Sequence, residues 1–192
     1  SANLEEPTIG ANSATQADDY FETVLYTGDG STQNVAVNFQ PDFTWIKNRD
    51  ATDAHQLFDS TRGATNVLES DDTTLEVAND DTLTDFTPAD ESIGFSLGDD
   101  VTVNTGSESY VAWNWKAGGE PTADNSAGAG EIPTTGSVKI DGVNLGSALA
   151  GTTAATRLTA NTTAGFSIIK YAGNSASKTV AHGLNSAPTF VI

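Results

Sequence analysis

Residues 34–39 (NVAVNF) alternate strictly, with Val35, Val37 and Phe39 on one side and Asn34, Ala36 and Asn38 on the other. That is the two-residue period of a half-buried strand. Residues 21–27 (FETVLYT) are rich in β-branched and aromatic side chains and read as a second strand. Between them Gly28, Asp29 and Gly30 supply the left-handed backbone conformations that a reversal needs, which predicts a β-hairpin. Pro41 has no amide proton to give a ladder, so pairing should break there before a third strand over residues 43–47. The pattern of this three-stranded meander returns in residues 166–192. Phe21 matches Phe166, Tyr26 matches Tyr171, Gly28 matches Gly173, Val35 matches Val180 and Phe39 matches Leu184, all 145 residues apart. Pro41 then matches Pro188 and Phe43 matches Phe190 at a separation of 147. A fixed spacing of this kind means one supersecondary unit used twice.

Further strands are predicted between the two copies. Phe95 and Leu97 alternate between Gly94 and Gly98, and Val101 and Val103 alternate after Asp99 and Asp100. Residues 110–116 (YVAWNWK) place Val111, Trp113 and Trp115 on one face and Tyr110, Ala112, Asn114 and Lys116 on the other. Two indoles on one strand face are assigned to the core of a sandwich. The alternative is a carbohydrate-stacking site formed by Tyr110, Trp113 and Trp115, since indole faces pack well on sugar C–H surfaces. In the acidic, Thr-rich residues 71–91 only Leu75, Val77, Leu83 and Phe86 are candidates for burial. Val138 and Ile140 run into an Asp141-Gly142 turn, a small hairpin over residues 137–145. Around it, residues 120–136 have a flexible linker's composition, and residues 147–163 show no apolar stripe wide enough for a helix. Residues 1–19 are small and polar, and Leu4 and Ile9 bury too little surface to offset the chain entropy of ordering them. The fold class that results is all-β, an antiparallel β-sandwich or jelly-roll-like module over residues 20–119. It is preceded by an arm (1–19) and followed by a linker with a small hairpin (120–163) and the start of a second β module (164–192).

Composition narrows the chemistry. The 192 residues hold 26 Asp and Glu against 8 Lys and Arg, a formal charge of −18 that repels nucleic acid phosphates and anionic membrane surfaces. There is no apolar run near the ~20 residues of a membrane span, so no membrane insertion is expected. Without cysteine there are no disulfides and no thiolate chemistry. His55, Asp59, Ser60 and Arg62 are residue types of a catalytic site, but no nucleophile elbow surrounds Ser60. The plainer expectation is that Arg62 pairs with a nearby Asp and that His55 sits half buried. Residues 71–91 have carboxylates enough for calcium but not the alternating Asp spacing of a calcium loop. No catalytic residue, metal or cofactor is assigned. A glycosidase would need two carboxylates at a defined separation in space, which so acidic a sequence does not single out.

Taken together, YFETVLYTGDGSTQNV, FQPDFTWIKNR, HQLFDSTRGATNVLES, GFSLG, SYVAWNWKAGG and TTAGFSIIKYAGN resemble a repeat domain of structural proteins of tailed viruses, especially those of marine bacteria and cyanobacteria. The resemblance covers residues 20–119 almost continuously and resumes at 162–192. It implies a β-rich, non-enzymatic virion protein on the particle's exterior, serving as a tail-fibre-like appendage, spike or capsid decoration. Its partners would be other virion proteins and symmetry mates, as a homo-oligomer and most simply a trimer, with host attachment through a surface glycan or receptor. The arm and the second module would depend on those neighbours. The acidity suits a marine or otherwise saline setting.

With 26 acidic groups facing 8 basic ones, added salt should stabilise the fold by screening self-repulsion. Melting temperature should rise most steeply below roughly 0.1 M salt, where the Debye length still exceeds ~10 Å, as a calorimetric salt series would show.

Overall fold

The computed structural model describes residues 16–87, 92–173 and 175–192. Its strands are, in chain order, β1 (Phe21–Thr27), β2 (Gln33–Ala36), β3 (Phe43–Asn48), β4 (Gln56–Asp59), β5 (Gly63–Glu69), β6 (Val77–Ala78), β7 (Leu83–Asp85) and β8 (Gly94–Leu97). These are followed by β9 (Ser109–Trp115), β10 (Val138–Ile140), β11 (Val143–Asn144), β12 (Ala155–Asn161) and β13 (Phe166–Tyr171), with a helical turn α1 (Val101–Asn104) before β9. The all-β, sandwich-like class anticipated from the sequence is what forms. Most of the expected arm lies outside the described residues; at its end Ala17–Asp19 makes a 3-10 turn.

The first meander assembles differently from the hairpin predicted for it. β1 does not turn back on β2. It runs antiparallel to β9, from Phe21 opposite Trp115 to Thr27 opposite Ser109. β3 pairs with the other edge of β9, so the large sheet has the order β1-β9-β3-β4-β5-β6. β2 instead joins β8 and β7 in a three-stranded sheet. Residues 28–32 therefore form an arch between sheets, and the arch is fixed from the side. The buried Asn104 amide donates to the carbonyls of Gly98 and Ser31 and to Asp29, while its Oδ1 accepts the Asp29 N–H at 2.9 Å. A Cβ on Gly28 would lie 2.2 Å from the Thr105 carbonyl oxygen, so no other residue fits there without moving the backbone.

Between the two sheets lies one apolar core. Val35, Phe95, Leu97, Leu83 and Phe86 on the smaller sheet's side meet Ile46, Phe58, Val67, Tyr110 and Ala112 on the larger. Leu75 and Val77, two of the four burial candidates in the acidic passage, are exposed instead. Val101 and Val103 lie in α1 rather than in a strand, because Asp100 caps the turn by accepting the Thr102 N–H at 2.8 Å. That leaves Val101 exposed and puts Val103 in the core.

The segment after β9 is more ordered than its composition suggests. Val138 and Ile140 do form a hairpin with β11 across Asp141 and Gly142, both at positive φ (51° and 82°). Residues 155–161, for which no element was expected, form β12, which pairs parallel with β10 and antiparallel with β13. The result is a third sheet of order β11-β10-β12-β13, with its own core of Val138, Leu149, Ala155, Leu158 and Ala160.

This sheet is tied to the large sheet at Gly118, where Asp42 fixes the chain leaving β9. The Gly118 N–H donates to Thr159 Oγ1 at 2.7 Å, and a Cβ there would come within 2.5 Å of the Ala160 carbonyl. Asp42, itself buried, accepts from Ser60 Oγ (2.8 Å) and from the N–H groups of Ala117 (2.7 Å) and Gly119 (3.1 Å). Burial raises the Asp42 carboxyl above the ordinary carboxylate range even though these donors pull the other way. The folded state thus holds the Asp42 proton more tightly than the unfolded chain does. Its contribution favours folding at low pH and is lost as pH rises through the raised value. Asp42→Asn cannot ionise, so urea midpoints measured from about pH 4, near the ordinary Asp value, up to neutrality should fall less for the variant than for the parent.

Candidate functional site

β9 carries the pattern on which the site depends. Its Tyr110, Ala112 and Asn114 face inward and are fully buried, while Val111, Trp113 and Trp115 face outward and are half exposed. The two faces are those read from the sequence. The assignment of the indoles to the core is not what forms, because the inward side chains are held by partners outside β9. The Tyr110 ring stacks on Tyr26 at 5.1 Å, with the planes 11° apart. Its hydroxyl donates to the Val101 carbonyl (2.9 Å) and accepts the Thr105 N–H (2.8 Å). Asn114 accepts from Thr44 Oγ1 at 3.0 Å and donates to the Glu22 and Ala112 carbonyls. Burial raises the hydroxyl pKa of both tyrosines. Tyr110 therefore cannot join Trp113 and Trp115 in a surface site.

The outward face of the large sheet is aromatic in two adjacent rungs. In the first, Phe21, Trp115 and Phe43 lie side by side on β1, β9 and β3. Phe21 and Phe43 lean on Trp115 at centroid distances of 4.9 and 5.3 Å. Phe166 of β13 then stacks on Trp115 at 6.0 Å and 21° and lies 6.2 Å from Phe43. Trp115 is thus covered by the second repeat's first residue and serves the joint between the large sheet and the sheet that contains β13. In the second rung, Thr23, Trp113 and Trp45 are neighbours. Trp113 and Trp45 meet edge to face at 5.9 Å, and Trp45 Nε1 donates to His55 Nδ1 at 2.8 Å. Leu25, 64% exposed, opposes Val111 in the next rung. The surface open to a ligand is centred on Trp113 and Trp45. Residues 43–46 carried the sign that Trp45 would lie there: Phe43 and Trp45 alternate with Thr44 and Ile46, and the latter two are buried.

The polar cluster of His55, Asp59, Ser60 and Arg62 is dispersed into structural bonds. Arg62 pairs with Asp59 as expected, and it also donates to Glu76 and to the Leu57 and Asn66 carbonyls. Asp59 additionally accepts from Thr61 and from the Arg62 N–H. Ser60 is buried and its hydroxyl donates to Asp42, whereas His55 is half buried and accepts from Trp45. Among the described residues, no three His, Asp or Glu side chains are grouped so as to hold a metal ion.

Domain of unknown function (DUF7483) is the family whose model matches this chain, over residues 16–144 and again over 140–192. Each match contains one copy of the repeat seen in the sequence. No curated protein and no solved structure matches the chain.

The two faces of β9 should respond differently to truncation. Tyr110→Ala should cost about 3–5 kcal/mol, as for a fully buried aromatic, and Trp113→Ala less than that, because part of its surface already meets water. Urea denaturation of the two variants compares them directly.

Proposed function

The chain belongs to the DUF7483 family, and we propose that it is a non-enzymatic structural protein on the exterior of a virus particle, a surface appendage, spike, fibre or decoration. The observation that carries this reading is the folded joint between the two repeats. Gly118, Thr159 and the stacked Trp115 and Phe166 bind the connecting sheet to the first module, and Asp42 fixes the chain on either side of Gly118, so the first strand of the second repeat is anchored against the first module. An appendage that transmits position over a distance needs such stiff joints. The buried polar groups point the same way: Asp42, Asp59, Ser60, Asn104 and Asn114 are all engaged in hydrogen bonds that hold backbone in place. Placement on a tailed virus rests on the motif resemblance. Homo-oligomerisation, as a trimer on the strength of the fibre-like resemblance, belongs to that same reading.

A lectin-like function is the second reading, and the half-exposed Trp113 and Trp45 favour it. The two take over the stacking role expected of Tyr110, Trp113 and Trp115, since Tyr110 is buried and Trp115 is covered by Phe166. Gold-labelled antibodies to this chain should decorate intact virus particles from the source culture, and unlabelled particles would rule out the virion reading. Glycan-array binding that is lost in Trp113→Ala while stability is retained would put the lectin reading first.

A further inference from the structure

The second repeat opens with β13, which aligns residue for residue with β1: Ser167 with Glu22, Ile169 with Val24 and Tyr171 with Tyr26. The two strands differ in their neighbours. Among the described residues, β1 has β9 on one edge and no strand on the other, whereas β13 has β12 on one edge and no strand on the other. Backbone hydrogen bonds show that these are complementary edges. The Tyr20 carbonyl accepts from Lys116 and the Gly28 N–H donates to Glu108, so Glu22, Val24 and Tyr26 turn their backbone groups toward β9. On β12, the Leu158 N–H and the Ala160 carbonyl bond to Ser137 and Asp141 on the β10 side. Thr159 and Asn161 must therefore be the residues that face β13, opposite Ile168 and Phe166. Ser167, Ile169 and Tyr171 accordingly turn toward the open edge. Chirality makes the same point independently, because an L-residue with its side chain toward the core presents its N–H and C=O to one fixed side. Val24 and Ile169 both pack inward. The open edge of β13 is thus the counterpart of the edge that β1 gives to β9.

We propose that this open edge of β13 is an acceptor for a strand of β9 type from a further module of this family, so that consecutive modules share one continuous sheet across their joint. The exposed side chains agree with that occupant. Tyr26 is stacked on Tyr110 and donates to the Val103 carbonyl at 2.7 Å, while its counterpart Tyr171 is 56% exposed. Phe43 packs on Trp115 and Phe166, while its counterpart Phe190 is 77% exposed, followed by equally exposed Val191 and Ile192. Each of these is a side chain whose partner in the first copy sits on β9 or is brought there by another aromatic. A β9-type strand would bring the tyrosine that Tyr171 lacks and the tryptophan that Phe190 lacks. The inference concerns the joint between modules and holds whichever particle or surface carries the chain.

Two probes test it. The first is the full chain extended after Ile192 with residues 46–119 of the same sequence, because Ile192 aligns with Trp45. The second is the unextended chain mixed with a synthetic peptide of residues 108–116. Amide hydrogen exchange is read at Ser167, Ile169 and Tyr171 by NMR. Either probe should slow exchange at these amides by at least ~100-fold, the scale of adding a ladder to an open edge. Placing proline at the position equivalent to Ala112 in the extension or the peptide should abolish the effect, since the Ala112 N–H faces β1 in the first module. Unchanged exchange with both probes would overturn the proposal. So would slowing in the unextended, peptide-free chain as its own concentration rises, because the occupant would then be a second intact copy.

Discussion

The ladder on both edges of β9 brings together parts of the chain that are far apart in sequence. β1 and β3 pair with its two opposite edges, and the stretch from residue 28 to 42 has to leave the large sheet and return because β9 occupies the place between them. Once β9 is fixed with Tyr110 and Asn114 inward, alternation sends Trp113 and Trp115 outward, and the aromatic rungs across β1, β9 and β3 follow from register. A one-residue slip would exchange the two faces entirely. What opposes the slip is a set of directional bonds: the Tyr110 hydroxyl to Val101 and Thr105, and the Asn114 amide to Thr44, Glu22 and Ala112. Burying the two indoles would release more apolar surface from water, but it would strand these polar groups or expose them, and an unmet buried donor costs about 1–3 kcal/mol.

The same logic runs through the loops. Asn104 holds the arch at residues 28–32, Asp100 caps α1, and Asp42 gathers Ser60, Ala117 and Gly119 where the chain leaves β9 for the sheet of β10 to β13. Among the described residues no buried side-chain polar atom is without a partner. Polar groups of this kind add little net stability over an apolar equivalent. They do select one arrangement of chain segments that β-strand pairing alone would leave open. In a protein of charge −18, in which general electrostatics favours expansion, such local specification matters more.

The outward face is divided in use. Trp115 belongs to the joint, pressed between Phe21, Phe43 and Phe166, whereas Trp113 and Trp45 form the open part. The proposal of a stiff, repeated appendage draws on the first group and the glycan reading on the second, so the two readings compete for different residues rather than for the same site.

Strand content was legible from residue patterns. The alternation at residues 34–39 and 110–116, the Asp141-Gly142 turn and the Arg62–Asp59 pair are local signals, and each has its structural counterpart. Of the repeated meander only the first strand forms among the described residues, as β13; Val180 makes isolated bridges to Gly151 and Thr153, and no strand follows it there, because the partners that complete the first copy come from β8 and β9. Pairing was not legible. Nothing in residues 21–39 distinguishes a hairpin from an arch between sheets, because the glycines that permit a reversal also permit a crossing, and the deciding partners, Asn104 and Thr105, lie about 75 residues away. β12 was hidden for a related reason: its Ala and Thr side chains give no apolar period, and it is a strand because β10 and β13 supply a ladder on each edge. The faces of β9 could be read from alternation, but which face is wet could not. That choice turns on hydrogen-bond partners from α1, β3 and β1, and such partners exist only once the tertiary structure has brought them within reach.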